Sequence, residues 1–233
     1  MTVQSEMLGM LRTVAGALGA DLRVRLVFVG GCTSVLFITD EATLETLRAT
    51  EDVDLIVDLA GYSDWTELQA TLRKRGFSEA HDDTVTCRMR LGGLKVDFMP
   101  DDASILGFTN RWYAEGIATA VTFSLTETLN IRHLTPQLFI ATKLEAYLGR
   151  GEGDLLASRD MEDILQVIEG RPAIVEEVRR ANHNVRQFIA EQFTSLLRAA
   201  DFEYFLEGNI RGGPEDRLHV VSDRFIALSA AGG

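Results

Sequence analysis

The sequence has few of the residues that form covalent cross-links and no segment that resembles a membrane anchor. It contains two cysteines, Cys32 and Cys87, so at most one disulfide can form. Both lie in apolar or strand-like stretches, where a free cysteine usually behaves as a small hydrophobic residue. No run approaches the roughly 20 apolar residues that a membrane-spanning helix needs, and no signal peptide is evident. We therefore expect a cytoplasmic chain with no membrane partner.

Basic charge is also scarce. The chain has 23 Lys and Arg against 35 Asp and Glu, which gives a formal net charge of −12. This balance argues against a broad phosphate-neutralising surface, because non-specific nucleic-acid affinity comes mainly from Lys and Arg. The four histidines lie far apart and have no partner cysteine spacing, so a zinc site is not indicated. With 46% hydrophobic residues, the chain should nevertheless bury a normal globular core.

The distribution of apolar residues predicts an α+β domain followed by a helical domain. An amphipathic helix is expected within Met1 to Ala20, and short β-branched runs bounded by glycine predict strands after it. These strands are expected at Val24–Val29, Val53–Leu59, Thr84–Arg90, Leu94–Met99 and Ala120–Phe123. The third and fourth should form a hairpin through Gly92 and Gly93.

Helical spacing dominates from Thr135 onward. Thr135 is a good N-cap and Pro136 suits the first helical position, so a helix should begin there. We predict domains at residues 1–130 and 131–233, with a polar loop near Gly208 to Gly213 and a fraying tail at Ala227 to Gly233.

Aspartates lie on or next to two of the predicted strands, at positions where the alternation of side chains determines which face they occupy. Side chains alternate between the faces of a strand, so Asp52 and Asp54 should point the same way. Asp97 should lie on the face opposite Val96 and Phe98, where it could complete a triad. Three clustered carboxylates need a compensating cation, because like charges resist ionisation. Magnesium prefers oxygen ligands and keeps positions for water and substrate phosphates, so the pattern predicts a magnesium site.

The turn Gly30-Gly31 follows the first predicted strand. Glycine lets backbone amides approach a phosphate at the start of the next helix, where the helix dipole also favours an anion. Separately, a glycine pair is more often a tight turn and an Asp-x-Asp pair more often a solvated strand end. Their combination is what favours a nucleotide site.

The ordered set of these motifs resembles the nucleotidyltransferase superfamily. The motifs are G-G-C-T-S at Gly30–Ser34, R-A-T-E-D-V-D-L at Arg48–Leu55 and L-K-V-D at Leu94–Asp97. Within the superfamily they resemble the AbiEii/MenT-like toxins of bacterial toxin-antitoxin and phage-defence systems. The segments A-T-K-L-E-A-Y at Ala141–Tyr147 and S-R-D-M-E-D-I at Ser158–Ile164 resemble two further motifs of that group. The stretch between the glycine and aspartate pairs is longer than in minimal nucleotidyltransferases.

The resemblance implies a mixed sheet with flanking helices, followed by a helical C-terminal domain. It also implies transfer of a nucleoside monophosphate from a nucleoside triphosphate to an acceptor hydroxyl, such as a tRNA 3′ end, and an antitoxin protein as partner. The implied site comprises two magnesium ions on Asp52, Asp54 and Asp97, a triphosphate cradle of Gly30, Gly31 and Ser34, a phosphate-contacting Lys143, and Arg159, Asp160 and Asp163 at the rim. Asp160 is the strongest catalytic candidate among the rim residues.

Other interpretations stay open at this point. The acidic balance is unusual for an enzyme that grips tRNA, so the acceptor could instead be a small molecule or a protein hydroxyl. The fold could have lost catalysis and serve as a nucleotide-binding or interaction module. The acidic cluster could also be a structural calcium or magnesium site in an unrelated α+β protein, and Lys143 and Asp163 could merely decorate helix surfaces.

Overall fold

A computed structural model describes residues 2–79, 85–149, 153–210 and 216–233. The chain forms two compact units. The first comprises Met1–Thr33 and Ala49–Thr135, and the second comprises Ser34–Arg48 and Pro136–Gly233. The predicted domain boundary at residue 130 assigns Ser34–Arg48 to the sheet domain. In the structure this segment belongs to the second unit.

The elements follow one another in an order that concentrates strands in the first unit and helices in the second. The strands are β1 (Val27–Val29), β2 (Asp52–Val57), β3 (Phe77–Ser78), β4 (Arg88–Leu91), β5 (Leu94–Pro100), β6 (Val121–Ser124) and β7 (Asn130–His133). The helices are α1 (Val3–Arg23), α2 (Glu41–Glu45), α3 (Tyr62–Lys74), α4 (Ala103–Leu106), α5 (Tyr113–Thr119), α6 (Pro136–Gly149), α7 (Arg159–Gly170), α8 (Ile174–Arg179), α9 (His183–Leu196), α10 (Phe202–Asn209) and α11 (Arg217–Ser229), and a 3₁₀ helix spans Gly31–Leu36.

Within the described residues, seven strands form one mixed sheet in the order β3-β4-β5-β2-β1-β7-β6. β2 runs parallel to β5 and β1 parallel to β7, whereas the other neighbours are antiparallel. The α+β class with a mixed sheet and flanking helices is therefore confirmed. β2 and β5 lie near the centre of the sheet, and Val53, Leu55, Val96 and Phe98 are fully buried there.

Several predicted elements of the first unit are present. α1 buries an apolar stripe that includes Leu11, Val14 and Leu18, as expected for an amphipathic helix. The hairpin is also confirmed, because Leu91 pairs with Leu94 on either side of the Gly92-Gly93 turn. Gly92 has a φ of 59°, a left-handed conformation that favours glycine.

The second unit buries its own core of helix faces. The rings of Phe37 and Phe139 lie 4.9 Å apart, so the segment before α2 packs against α6. The ring of Phe225 on α11 lies 5.1 Å from that of Phe193 and 5.2 Å from that of Phe202. The first contact thus joins the segment Ser34–Arg48 to α6, and the other two join α9, α11 and the start of α10.

Some local predictions were wrong. The Thr135 hydroxyl finds no hydrogen-bond partner among the described residues, so it does not cap α6. The tail does not fray, because α11 continues to Ser229 and Ala231 is buried. Gly208 belongs to α10, while the rest of the predicted loop from residue 211 lies outside the described residues, as does Thr84.

No helix in the described part of the chain is long and apolar enough to cross a membrane.

Candidate metal centre

Three carboxylates meet at the centre of the sheet. Asp52 and Asp54 lie on β2 and Asp97 lies on the adjacent β5, with Asp54 directly opposite Asp97 in the parallel register. One carboxylate oxygen from each residue lies within 4.8 Å of the others. Asp97 is buried, whereas Asp52 and Asp54 are partly exposed. The predicted convergence of the three side chains is confirmed.

The chemistry of this donor set fits a hard divalent cation. All three groups offer carboxylate oxygens, which magnesium and manganese prefer to imidazole or thiolate ligands. The Thr50 hydroxyl donates a hydrogen bond to Asp52 Oδ1 at 2.6 Å and so restricts the orientation of that carboxylate. The partial exposure of Asp52 and Asp54 leaves room for water or substrate oxygens in the remaining coordination positions.

Gly30 allows the Asp54 carboxylate to lie directly against the backbone. Val29 pairs with Asp54 between β1 and β2, which brings the next residue, Gly30, beside the carboxylate. A Cβ atom at Gly30 would overlap with the Asp54 side chain, and the φ of Gly30 is 73°. A residue other than glycine would therefore be strained there and would displace one member of the cluster.

The turn after Gly30 is short and closed. The backbone N–H and the hydroxyl of Thr33 both donate to the Gly30 carbonyl, at 3.1 and 2.8 Å. Gly31 begins the 3₁₀ helix, and Ser34 within it is only 1% exposed. The predicted contact of Gly31 and Ser34 with a triphosphate stays a prediction.

Arg88 on β4 pairs with the acidic cluster. Its Nε donates to Asp97 Oδ1 and its Nη2 to Asp97 Oδ2, both at 2.7 Å. Nη2 also lies 3.8 Å from Asp52 Oδ2. The sequence analysis missed this residue, although a signal was present. A two-residue turn that pairs Leu91 with Leu94 must also place Arg88 opposite Asp97.

Both cysteines lie near the negative charge of the cluster. Burial raises the pKa of the Cys32 thiol, and Asp54 and Asp52 raise it further. Burial raises the pKa of Cys87 to about 12, with smaller contributions from Asp97 and Asp54. Both side chains are therefore neutral thiols at physiological pH, which suits small apolar residues and not thiolate ligands.

The second unit contains a buried cluster around Lys143. Lys143 Nζ on α6 lies 2.9 Å from Asp160 Oδ1 and 2.7 Å from Asp163 Oδ2. Both aspartates lie on α7, three positions apart and thus on one face of the helix. Arg48 Nη2 lies 2.7 Å from the other oxygen of Asp163, a partner that the sequence analysis also missed.

This arrangement keeps Lys143 charged. Burial alone would lower the pKa of Lys143, but the negative charges of Asp163 and Asp160 outweigh it and raise the pKa above its ordinary value. The side chain of Lys143 is only 13% exposed, and those of Asp160 and Asp163 are 3% and 2% exposed. Lys143 and Asp163 therefore do not merely decorate helix surfaces.

A small cavity opens beside the start of α7. Its volume is about 240 Å³, and Arg159, Asp160 and Tyr147 contribute to its lining. Ser158 caps α7, because its side chain accepts a hydrogen bond from the Met161 N–H at 3.3 Å. The buried Asp160 and the exposed Arg159 thus line the same cavity.

Comparison with known proteins adds no family to this geometry. No family model matches the chain. No curated protein matches it either. The chemistry of the chain's own residues therefore carries any functional assignment.

The predicted site residues fall into two groups. Asp52, Asp54 and Asp97 lie together in the first unit, with Gly30 against Asp54. The second unit contains Lys143 paired with Asp160 and Asp163, and also Arg159 and Ser34. The sequence predicted the acidic cluster but not the pairing of Lys143 with Asp160 and Asp163, and the catalytic and binding roles of both groups stay predictions.

Proposed function

We propose that the chain is a metal-dependent nucleotidyltransferase that moves a nucleoside monophosphate from a nucleoside triphosphate to an acceptor hydroxyl. The convergence of Asp52, Asp54 and Asp97 on two adjacent parallel strands is the observation that carries the proposal. An oxygen-only cluster beside a glycine turn is suited to magnesium and phosphate together. Zinc sites usually include imidazole or thiolate donors, whereas the cluster found among the described residues consists of carboxylates.

Asp52, Asp54 and Asp97 would hold two magnesium ions. When bound, such ions neutralise the triphosphate and stabilise the attacking and leaving oxygens of an in-line displacement. A carboxylate oxygen of Asp97 accepts the proton of the acceptor hydroxyl, and the hydroxyl oxygen then forms its bond to the α-phosphorus. The bond from that phosphorus to the bridging oxygen breaks, and pyrophosphate leaves with the electron pair.

The remaining residues bind and orient phosphate groups. The amides of Gly30 and Gly31 donate to phosphate oxygens, for which a backbone without side chains leaves space. The role proposed for Lys143, contact with a phosphate oxygen, requires a permanent cation. Lys143 is protonated at physiological pH, but its ammonium is already paired with Asp160 and Asp163, so its phosphate contact rests on the resemblance alone.

The acceptor that we propose is an RNA 3′ end, with a tRNA 3′ end as the leading candidate. This assignment follows the resemblance to the toxin-like group, in which case the enzyme acts in a toxin-antitoxin or phage-defence system and an antitoxin protein is its partner. A small-molecule or protein hydroxyl is the alternative that the net charge of −12 favours.

One observation favours a second function, that of a non-catalytic nucleotide-binding or interaction module. Arg88 pairs through two hydrogen bonds with Asp97 and thereby supplies positive charge to the cluster without a metal ion. Such a module would bind nucleotide and release no pyrophosphate. Turnover therefore separates the two functions directly.

The deciding experiment measures the transfer of label from each α-labelled nucleoside triphosphate, with magnesium, into total RNA and total protein. We expect label in RNA from the wild-type protein. Asp54→Asn removes one charged ligand and should reduce incorporation about a thousandfold, the effect of roughly 4 kcal/mol on the barrier. The variant should stay folded, because the substitution also relieves repulsion within the cluster.

Asp58→Asn is the matched control, because Asp58 is exposed and follows the opposite end of β2. It loses the same charge and should retain full activity. Activity retained in Asp54→Asn would contradict the proposal. Nucleotide binding without label in either pool, and without pyrophosphate release, would support the non-catalytic module.

A further inference from the structure

Arg88 places a positive charge against Asp97 and near Asp52, both proposed metal ligands. Its guanidinium spans both oxygens of Asp97, with each N···O distance at 2.7 Å. The same Nη2 atom faces Asp52 Oδ2 at 3.8 Å, while Thr50 holds the other oxygen of Asp52. The side chain is 16% exposed, so solvent screens these contacts only in part.

We propose that Arg88 is a built-in counter-ion that competes with divalent metal for Asp97 and thereby sets the metal affinity of the cluster. This inference rests on the proposed function, because it assumes that the carboxylates bind metal. A magnesium ion needs carboxylate oxygens at about 2.0–2.1 Å and is repelled by a cation at the same carboxylates. Metal binding therefore has to weaken or displace the Arg88 pair.

The alternative role for Arg88 is that of an outer partner that orients Asp97 for the metal. Such partners typically strengthen metal binding, and their loss weakens it by roughly 10–100-fold. The approach of Nη2 to Asp52 favours competition, because it directs the charge toward the space between two ligands and not away from it. The two roles predict opposite signs for the same substitution.

Competition has a consequence for activity. When metal is scarce, Arg88 neutralises the carboxylates and the sheet stays stable without an ion. When metal is abundant, the cluster exchanges its internal cation for the one that the reaction needs. Arg88 is thus a positioning residue that makes activation depend on metal concentration, and it needs no contact with substrate.

The test measures Mn²⁺ binding to the full chain without nucleotide. Isothermal titration calorimetry gives the affinity, and the electron paramagnetic resonance signal gives the concentration of free Mn²⁺. Arg88→Met keeps the length of the side chain and removes its charge, and it should lower the dissociation constant at least tenfold. Lys95→Met is the matched control, because Lys95 lies two residues from Asp97 but pairs with the exposed Glu51. It removes the same charge from the same sheet and should change the affinity less than threefold.

A thermal melt gives a readout that does not depend on activity. Without metal, Arg88→Met should melt below the wild type because its carboxylates are no longer paired, and saturating Mn²⁺ should raise its Tm more than that of the wild type. If Arg88→Met does not fold, Arg88→Gln decides, since glutamine removes the charge but keeps a polar side chain that can donate a hydrogen bond. Tighter Mn²⁺ binding by Arg88→Gln than by the wild type supports the inference, and equal or weaker binding overturns it.

Equal or weaker Mn²⁺ binding by Arg88→Met overturns the inference and leaves the metal site intact. If the wild type binds no Mn²⁺, or if Asp54→Asn binds Mn²⁺ as tightly as the wild type, both the inference and the proposed metal site are overturned. The two failures are therefore distinguishable in one set of titrations.

Discussion

Lys143 shows how a single buried residue depends on its partners. Breaking a buried ion pair costs far more than breaking an exposed one, because the remaining charge stays desolvated and uncompensated. Lys143 contacts two carboxylates at once, and Arg48 also contacts one of them, Asp163. Loss of Lys143 would therefore remove the ammonium group that contacts both Asp160 and Asp163.

We predict that Lys143→Met lowers the free energy of unfolding at pH 7 by about 3–5 kcal/mol. The pKa of Lys143 is raised in the folded chain above its ordinary value of 10.5, because Asp163 and Asp160 outweigh the effect of burial. Its contribution to stability is therefore fully present below pH 10.5 and declines as the pH rises toward the folded pKa. Urea unfolding of wild type and variant between pH 7 and 11.5 should show the difference between them narrowing at the alkaline end.

Lys95→Met is again the matched control, here for an exposed pair. The side chain of Glu51 is 84% exposed, so the loss of its contact with Lys95 should cost less than about 1 kcal/mol at pH 7. The other groups that titrate near pH 10 are present in both variants, so their effect on the free energy of unfolding cancels when Lys143→Met is compared with Lys95→Met. Equal losses in the free energy of unfolding for Lys143→Met and Lys95→Met would contradict the conclusion that Lys143 is buried and charged.

At the scale of elements, two helix starts test how caps form. Ser158 accepts a hydrogen bond from the Met161 N–H and caps α7. The Thr135 hydroxyl, which the sequence predicted as a cap, has no partner among the described residues. Ser158→Ala should therefore cost about 1 kcal/mol of unfolding free energy, whereas Thr135→Val should be neutral or stabilising.

Urea unfolding at pH 7 measures both substitutions. Valine replaces the buried Thr135 hydroxyl with a methyl group of similar size. A change in the free energy of unfolding of Thr135→Val therefore reports mainly whether that hydroxyl makes a hydrogen bond. A loss of about 1 kcal/mol in Thr135→Val would restore the predicted cap and contradict the geometry. A neutral Ser158→Ala would show that α7 does not depend on its capping hydrogen bond.

The elements that the sequence predicted are those with a strong local signal. α1 has a long amphipathic stripe, and the hairpin of β4 and β5 has a two-glycine turn. β3 has only two residues, and the sequence of β7 (N-I-R-H) has a single aliphatic residue, Ile131, so neither shows the apolar alternation of a strand. The cap at Thr135 was wrong because a favourable residue type does not determine where its hydroxyl points.

The candidate site shows the same division between local and tertiary information. Alternation was enough to predict that Asp52 and Asp54 share one face, because the periodicity of a strand is two. The pairing of β2 with β5, which brings Asp97 to them, was not predicted from the sequence. The position of Arg88 opposite Asp97 follows from the register that the two-residue hairpin turn sets, although the sequence analysis missed it. The pairing of Arg48 with Asp163 joins positions 115 residues apart in the chain, and no local pattern predicts such a contact.

At the scale of the whole molecule, the sequence showed that the segment after Gly30-Gly31 is long but did not predict that Ser34–Arg48 belongs to the helical unit. This segment leaves the sheet unit between β1 and β2 and completes the helical unit. The backbone N–H groups of Thr39 and Asp40 donate to the Gly170 carbonyl at 2.8 and 3.1 Å. Arg217 on α11 then contacts Asp40 at 2.8 Å, so the segment is held from two sides.

We therefore predict that residues 136–233 do not form a stable helical domain alone. Without the segment, Phe139 loses its ring contact with Phe37 and the Gly170 carbonyl loses two backbone donors. Such a fragment should bind a hydrophobic dye and unfold in urea without a cooperative transition. A peptide of residues 34–48 should restore the transition and suppress dye binding, whereas a scrambled peptide of the same composition should not. Cooperative unfolding of the fragment alone would mean that the helical faces bury one another sufficiently, and the segment would then be an accessory to that core and not part of it.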